Sequence, residues 1–410
     1  MSSEFCQTLF DQRWQSTLDD LKETHRYRSL PIASPVATTE GDWLQTTDEQ
    51  RLINLSSNDY LGLRHHPVLV QAAQEALATY GVGMGSSRYI GGNSYLYERL
   101  ETAVAHWKRT EAALVFPTGF QTNLTALPAL CGAGDVIVMD KLNHASLVDG
   151  SKLSGAKVLR YRHLDLADAE RRLQQAAAYR SPHGQVWLVS DSLFSMEGNF
   201  PDLHAWVALA NQYGAATYLD EAHACGVFGA TRASGLAEQM GCSHRITVHM
   251  GTFSKALGGL GGYLAGNKLM IEFLKNKARG VIYTTALPPA VLASNATAVT
   301  LIQTPASAEA IQPVQRLWQH IHTLRKMLPP EVLPVQASPI LPLYVGDAGR
   351  ALQLANECRE RFGVQLTAVR PPTVPQGRAM LRLSVSAGLS DEQVSQTQAC
   401  LSFLQPSLIR

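Results

Sequence analysis

The chain reads as an α/β fold: a large domain on a mostly parallel central sheet, then a small α+β C-terminal domain. Three observations predict this. Short apolar runs alternate with helical stretches from about residue 51 to 290, as in a sheet covered by helices on both faces. The rhythm changes after about residue 291, where helices and strands mix without that alternation. The chain has 410 residues, 45% of them hydrophobic, so it can fill more than one small core.

Residues 1–50 read as an N-terminal arm: a polar helix, the proline-containing stretch "YRSLPIASP", and a short turn. Residues 51–290 form the large domain. Its buried strands are "AALVF", "DVIVMD", "KVLRY", "QVWLVSD", "ATYLD", "ITVHM" and "GGYLAG". The stretch "DLHAWVALANQY" between two of them is helical, with Leu203, Trp206, Val207 and Ala210 on one face at helical spacing. In residues 291–410 the helix "VQRLWQHIHTLRKML" leads to the strand "ILPLYVG", the helix "RALQLANECRERF" and the strands "VQLTAV" and "MLRLSVSA". A final helix opens with Ser390 followed by Gln393, the spacing of a capping box.

Composition excludes some functions. Lys plus Arg number 35 and Asp plus Glu 34, giving a net charge of +1 with both signs mixed along the chain. Such a balance leaves no basic footprint for nucleic acid and no polybasic membrane patch. The opening "MSSEFCQTLFDQRWQ" lacks the apolar core of a signal peptide, and no apolar run is long enough to span a bilayer. A cytoplasmic location is therefore expected. The six cysteines (Cys6, Cys131, Cys225, Cys242, Cys358, Cys400) show no CxxC pair, so reduced structural thiols are expected and a metal site is not.

In parallel α/β sheets, ligands bind beyond the carboxyl ends of the strands. Polar residues cluster there: "FPTGF", "MDKLNHAS", "SDSLFSMEG", "LDEAH", "MGTFSK". Asp220 closes one apolar strand, where it is either a helix N-cap or a buried carboxylate with a cationic partner. His223, three residues on, is by itself compatible with a structural role. Lys255 follows the next strand, in the small-residue run "GTFSKALGG". Neighbouring strands lie about 5 Å apart, so Asp220 and Lys255 could flank one flat ring. Gly119 and Phe120 open a helix whose free N–H groups suit a phosphate. His144 could stack on a ring. Together these describe a pyridoxal phosphate site, with Lys255 as the covalent anchor and Asp220 opposite the pyridine nitrogen. A Walker A loop is the rival for the glycines, but Lys255 is followed by Ala256, and no GxGxxG follows the first strand.

The sequence resembles the α-oxoamine synthases, pyridoxal phosphate enzymes of the aspartate-aminotransferase fold (fold type I). The motifs "SSNDYLGL", "FPTGFQTN", "NHASL", "SLFSMEG", "DEAHACGVFG", "GTFSKALGG", "IYTTALPP" and "VRPPTVPQGRAMLRLSVSA" carry the resemblance from about residue 50 to the C-terminus. It implies roles by position. Lys255 holds the cofactor and moves protons, Asp220 pairs with its ring nitrogen, His144 stacks on the ring, and His223 and Ser195 bond its phenolic oxygen. Gly119, Phe120 and Thr252 hold the phosphate. Thr285 reaches the phosphate of a neighbouring subunit, which implies a homodimer with shared sites. Arg382 binds the amino acid's carboxylate with Asn58 nearby, and one of Arg26 and Arg28 meets the acyl substrate, Arg28 being the residue assigned.

The resemblance implies a decarboxylative condensation of L-alanine with a pimeloyl thioester, carried on CoA or a carrier protein, in biotin synthesis. The alternatives are other members of the family acting on glycine or serine with other acyl-CoAs, or a catalytically silent subunit. Such subunits typically lack the lysine, whereas Lys255, Asp220 and His223 are all present here. Two positions depart from the family pattern. Gly91 stands where Ser-Gly is common and Tyr97 where His is usual. These are either neutral changes or signs of an altered acyl pocket. The small residues after Lys255 are expected to leave room for cofactor and thioester and to let the chain turn tightly.

Overall fold

The computed structural model describes residues 3–38, 41–303 and 308–409, with side chains described apart from 3–7, 37–38 and 308–312. Cys6 lies outside the described side chains. The central sheet has seven strands: β1 (Ala112–Phe116), β2 (Val136–Asp140), β3 (Lys157–Tyr161), β4 (Val186–Asp191), β5 (Ala216–Asp220), β6 (Val248–Thr252) and β7 (Gly262–Gly266). Their order is β1-β7-β6-β5-β4-β2-β3. All pairs are parallel except those of β7, which runs antiparallel to both β1 and β6. The short link between β6 and β7 explains the reversal, because a parallel crossover needs a dozen residues or more. The stretch "ITVHM" was expected to be the strand; the observed β6 starts and ends two residues later and carries Thr252 at its end.

Both sheet faces are buried. On one face Trp187, Val189, Tyr218, Val248 and Met250 pack with residues of helices Gly119–Leu130 and Lys268–Lys277. Side chains alternate faces along a strand, so the next residues on this face are Asp191, Asp220 and Thr252. The apolar face of the sheet therefore ends in a row of polar groups. The other face packs against the larger core that includes Trp107, Trp206, Leu219 and Tyr263.

The segment read as an arm does begin with a helix, Ser3–Glu23. It continues, however, into strands Ala33–Thr38, Gly41–Thr46 and Arg51–Asn54, which form an antiparallel sheet. Arg51–Asn54 also pairs in parallel with Val364–Gln365. The expected single strand "VQLTAV" is split, since Thr367–Val369 joins a different sheet, beside Ala379–Ser384. The expected capping box is present: Ser390 Oγ accepts from Gln393 N (3.2 Å), and Gln393 Oε1 accepts from Ser390 N (3.0 Å). Among the described residues, no helix is long and apolar enough to cross a membrane. Cys131, Cys225, Cys242, Cys358 and Cys400 are free and buried.

Candidate active site

The carboxyl ends of β4, β5 and β6 converge on one space. Asp220, 3% exposed, ends β5. Its Oδ2 accepts from Asn123 Nδ2 (2.8 Å) and its Oδ1 from the Ala222 N–H (2.9 Å). Asn123 is itself fixed: its Oδ1 accepts from the Tyr218 hydroxyl (2.7 Å), and its Nδ2 also reaches Ser146 Oγ (2.9 Å). Asp220 is thus no simple helix cap; a buried asparagine and a backbone amide orient it.

Lys255 sits in the loop after β6. Its amine has no hydrogen-bond partner among the described residues, and it faces both Asp220 and Asp191 electrostatically. Burial pushes its pKa down to about 8; the two carboxylates oppose that shift and Arg382 adds to it. A buried amine without a partner among the described residues, its pKa lowered to about 8, has the chemistry of a nucleophile or a base.

The glycines that follow Lys255 answer mainly to packing. Gly258 has φ 68°, a left-handed turn, and a Cβ there would run into the backbone of Leu63 and Arg64. A Cβ at Gly259 would collide with the Asn295 side chain. The tight turn is as expected; the small size is explained here by neighbouring chain rather than by room for a ligand.

Helix Gly119–Leu130 starts where β1 ends, with Thr118 as N-cap accepting from Gln121 N (3.0 Å). A Cβ on Gly119 would lie 3.2 Å from Thr252 Oγ1, so this helix start touches the end of β6. Thr252 Oγ1 donates to Gly261 O (2.6 Å) and lies 2.8 Å from Ser254 Oγ. Free N–H groups, two hydroxyls and a helix dipole make a cradle for an anion. His144 caps helix Ala145–Leu153, and its exposed ring meets Phe120 edge-on at 6.2 Å.

A second cluster closes the other side. His223, 6% exposed, has Nδ1 2.7 Å from the Tyr60 hydroxyl. Burial, with Lys255 and Arg382 nearby, holds its pKa well below the usual value, so the ring is neutral. Arg382 projects from strand Ala379–Ser384 and donates to Ser195 O (2.6 Å), Ser384 Oγ (2.7 Å), Asn58 Oδ1 (3.1 Å) and Tyr60 OH (3.4 Å). The structure therefore brings together Asn58, Gly119, Phe120, His144, Ser195, Asp220, His223, Thr252, Lys255 and Arg382. Two expected residues stand apart. Thr285 is exposed, on an isolated bridge to Ser87. Arg28 is exposed too, and its guanidinium donates to Thr373 Oγ1 (2.8 Å) in the loop that follows Arg370.

Sequence reasoning missed Asn123, Tyr60, Ser254 and Asp191. All four lie inside stretches already singled out, and Asp191 occupies the end of β4 just as Asp220 occupies the end of β5. The rule that sites form at strand ends would have found it.

Of the two departures, Gly91 is exposed, and a Cβ added there would meet nothing closer than Ser86 at 4.0 Å. Tyr97 is 2% exposed, its hydroxyl accepts from Leu287 N (2.7 Å), and Arg88 stacks on its ring at 3.9 Å. Tyr97 thus ties down the "TALPP" segment. Tyr97→Phe leaves the Leu287 N–H without its partner and is expected to cost about 1–3 kcal/mol, read as a lower urea midpoint with an unchanged slope.

Residues 50–399 match the family model for aminotransferase class I and II. The chain belongs to this family. Within the class I and II aminotransferases its similarities are to α-oxoamine synthases. It is 38% identical over 396 residues to 8-amino-7-oxononanoate synthase of Trichlorobacter lovleyi, covering 96% of this chain and 97% of that one. It is 37% identical over 384 residues to 8-amino-7-oxononanoate synthase 1 of Bacillus subtilis, covering 93% and 94%. Among solved structures of this aminotransferase fold, serine palmitoyltransferase from S. paucimobilis with bound PLP–myriocin superposes with a TM-score of 0.85. That match has 26% identity and covers 97% of each chain.

Proposed function

We propose that the protein is a pyridoxal phosphate-dependent acyltransferase that condenses L-alanine with a pimeloyl thioester. The products are 8-amino-7-oxononanoate, CO2 and the free thiol, a step of biotin synthesis. The observation that carries the reading is the buried Lys255 amine, without a hydrogen-bond partner among the described residues and set among Asp220, a helix N-terminus and a guanidinium. Relatives named for this product, similar over nearly the whole chain, support it.

The residues present fit the cofactor. Lys255 is free to hold it covalently, Asp220 offers an oriented carboxylate for its ring nitrogen, and His144 and His223 flank the same space. Gly119, Phe120, Thr252 and Ser254 would take its phosphate. Bound there, pyridoxal phosphate supplies an electron sink for bonds at the α-carbon of an amino acid.

The protein's own groups do the rest. Arg382 fixes the carboxylate of alanine, with Asn58 beside it. Once released as a free amine, Lys255 takes the α-proton, and later returns one to the product carbon. The net reaction forms a bond from that carbon to the thioester carbonyl, expels the thiol, and loses the alanine carboxylate as CO2. We propose that Arg28, beside the loop at Thr373, meets the acyl substrate. Two copies would pair so that the exposed Thr285 reaches the partner's phosphate.

Attachment of the cofactor needs the neutral amine. Because Lys255 titrates near 8, the attachment rate is expected to rise with pH through about 8 and then level off. At pH 7 it should be about one tenth of its plateau. Stopped-flow absorbance of apoprotein mixed with pyridoxal phosphate reads this directly.

The function itself is tested by thiol release with pimeloyl-CoA and alanine, glycine or serine. Release with alanine alone supports the assignment. Release with glycine, or only with a different acyl chain, overturns the substrate while leaving the cofactor chemistry in place.

A further inference from the structure

Asp191 and Asp220 are paired in register at the ends of adjacent parallel strands. Val189 and Tyr218, two residues before each, pack into the same core, so both carboxylates face the same way. Strands are about 4.8 Å apart, and the two side chains are 4% and 3% exposed. Two charges that close in a dry site repel strongly. The donors are shared unequally. Asp220 receives two N–H groups, from Asn123 and Ala222, while Asp191 receives one, from the His144 backbone to Oδ2 (2.9 Å). Asn143 adds two stitches between the same turn and β4, donating to Val189 O (3.1 Å) and accepting from Asp191 N (3.3 Å).

We propose that Asp191 is a positioning residue: it stays protonated, leaving the negative charge to Asp220, and it pins the turn that carries His144. This rests on the pyridoxal phosphate reading above. The groups that face Asp191 are Asp220, Asp140, Lys255, Tyr161 and the His144 turn. Burial first, then Asp220, pushes its carboxyl well above the usual range, and the His144 N–H and Lys255 only partly oppose this.

Asp191→Asn mimics the protonated acid and keeps an acceptor for His144; Asp191→Ala keeps neither. In the holoenzyme, Asp191→Asn is expected to hold the midpoint of the cofactor's visible pH titration within about 0.3 unit of wild type. Asp191→Ala should shift the spectrum and lower kcat about tenfold relative to Asp191→Asn. A midpoint moved by about one unit or more in Asp191→Asn would mean an ionised Asp191 and overturn the proposal. If Asp191→Asn does not fold, the infrared spectrum of the wild type decides: a protonated-carboxyl band at pH 8 supports the proposal and its absence overturns it. A folded wild type that takes up no cofactor overturns the pyridoxal phosphate reading itself, and is distinguished by its lack of a visible band.

Discussion

Lys255→Ala is expected to lower kcat by on the order of 10³-fold or more, because in the proposed function one side chain both holds the cofactor and moves the α-proton. The loss should not be a folding defect. Among the described residues Lys255 has no hydrogen bond to give up, and removing an amine whose pKa burial has lowered removes a desolvation cost. The urea midpoint of the variant should therefore equal or exceed that of wild type, and added pyridoxal phosphate should dialyse away. Steady-state kinetics, denaturation and dialysis together check this. A variant with full turnover and no added amine contradicts the account. Asp220→Asn extends the test. It keeps shape and burial but removes the charge proposed to face the ring nitrogen, so it too should lose orders of magnitude in kcat; a near-normal rate would reduce Asp220 to a structural cap.

The second large effect is on stability. Glu221 follows Asp220 and points away from the site into a fully buried ion pair with Lys108, their side chains 0% and 2% exposed. Lys108 Nζ also donates to Ser234 O (2.6 Å), Ala237 N donates to Glu221 (3.0 Å), and His249 Nδ1 lies 3.3 Å from the same carboxylate. Lys108→Met leaves a buried carboxylate without its cation, which costs about 3–5 kcal/mol, a large part of a typical 5–15 kcal/mol total. Burial pushes the Glu221 carboxyl up, but Lys108, His249 and the Ala237 N–H together outweigh it and hold its pKa down to about 2 from an ordinary 4.5. A depressed acid contributes stability above its unfolded pKa and loses it as pH falls through the folded one. The deficit of Lys108→Met should therefore shrink as pH falls from 7, first as the unpaired buried carboxyl, its pKa raised once Lys108 is gone, protonates in the variant, and then below about pH 4.5 as wild type loses the stability its depressed Glu221 supplies. Lys108→Met/Glu221→Gln should recover most of the loss. Urea melts at the two pH values check both; a single variant within about 0.5 kcal/mol of wild type at pH 7 would mean that water reaches the pair.

Much of this architecture is legible in the sequence because strand ends announce themselves. Asp220, Thr252 and Lys255 each follow an apolar run, and helical periodicity marked the helix at 203–212. What was not legible depends on partners distant in the chain. Arg51–Asn54 is a strand because Val364–Gln365 lies beside it, and "VQLTAV" breaks because its two halves pair with different sheets. The Lys108–Glu221 pair spans more than a hundred residues, so no local pattern could join them. In the sequence Tyr97 is either a neutral change or a sign of an altered acyl pocket; what the sequence does not show is that its hydroxyl holds Leu287 N, a contact visible only once the fold is closed. Asp191 was legible by the same rule that found Asp220.

The most direct test of the central claim is to reduce the holoenzyme with borohydride, digest it, and locate the cofactor by mass spectrometry. The account predicts label on the peptide containing Gly251–Gly259, at Lys255 and nowhere else. Label on another lysine, or none on a folded protein saturated with pyridoxal phosphate, would contradict it.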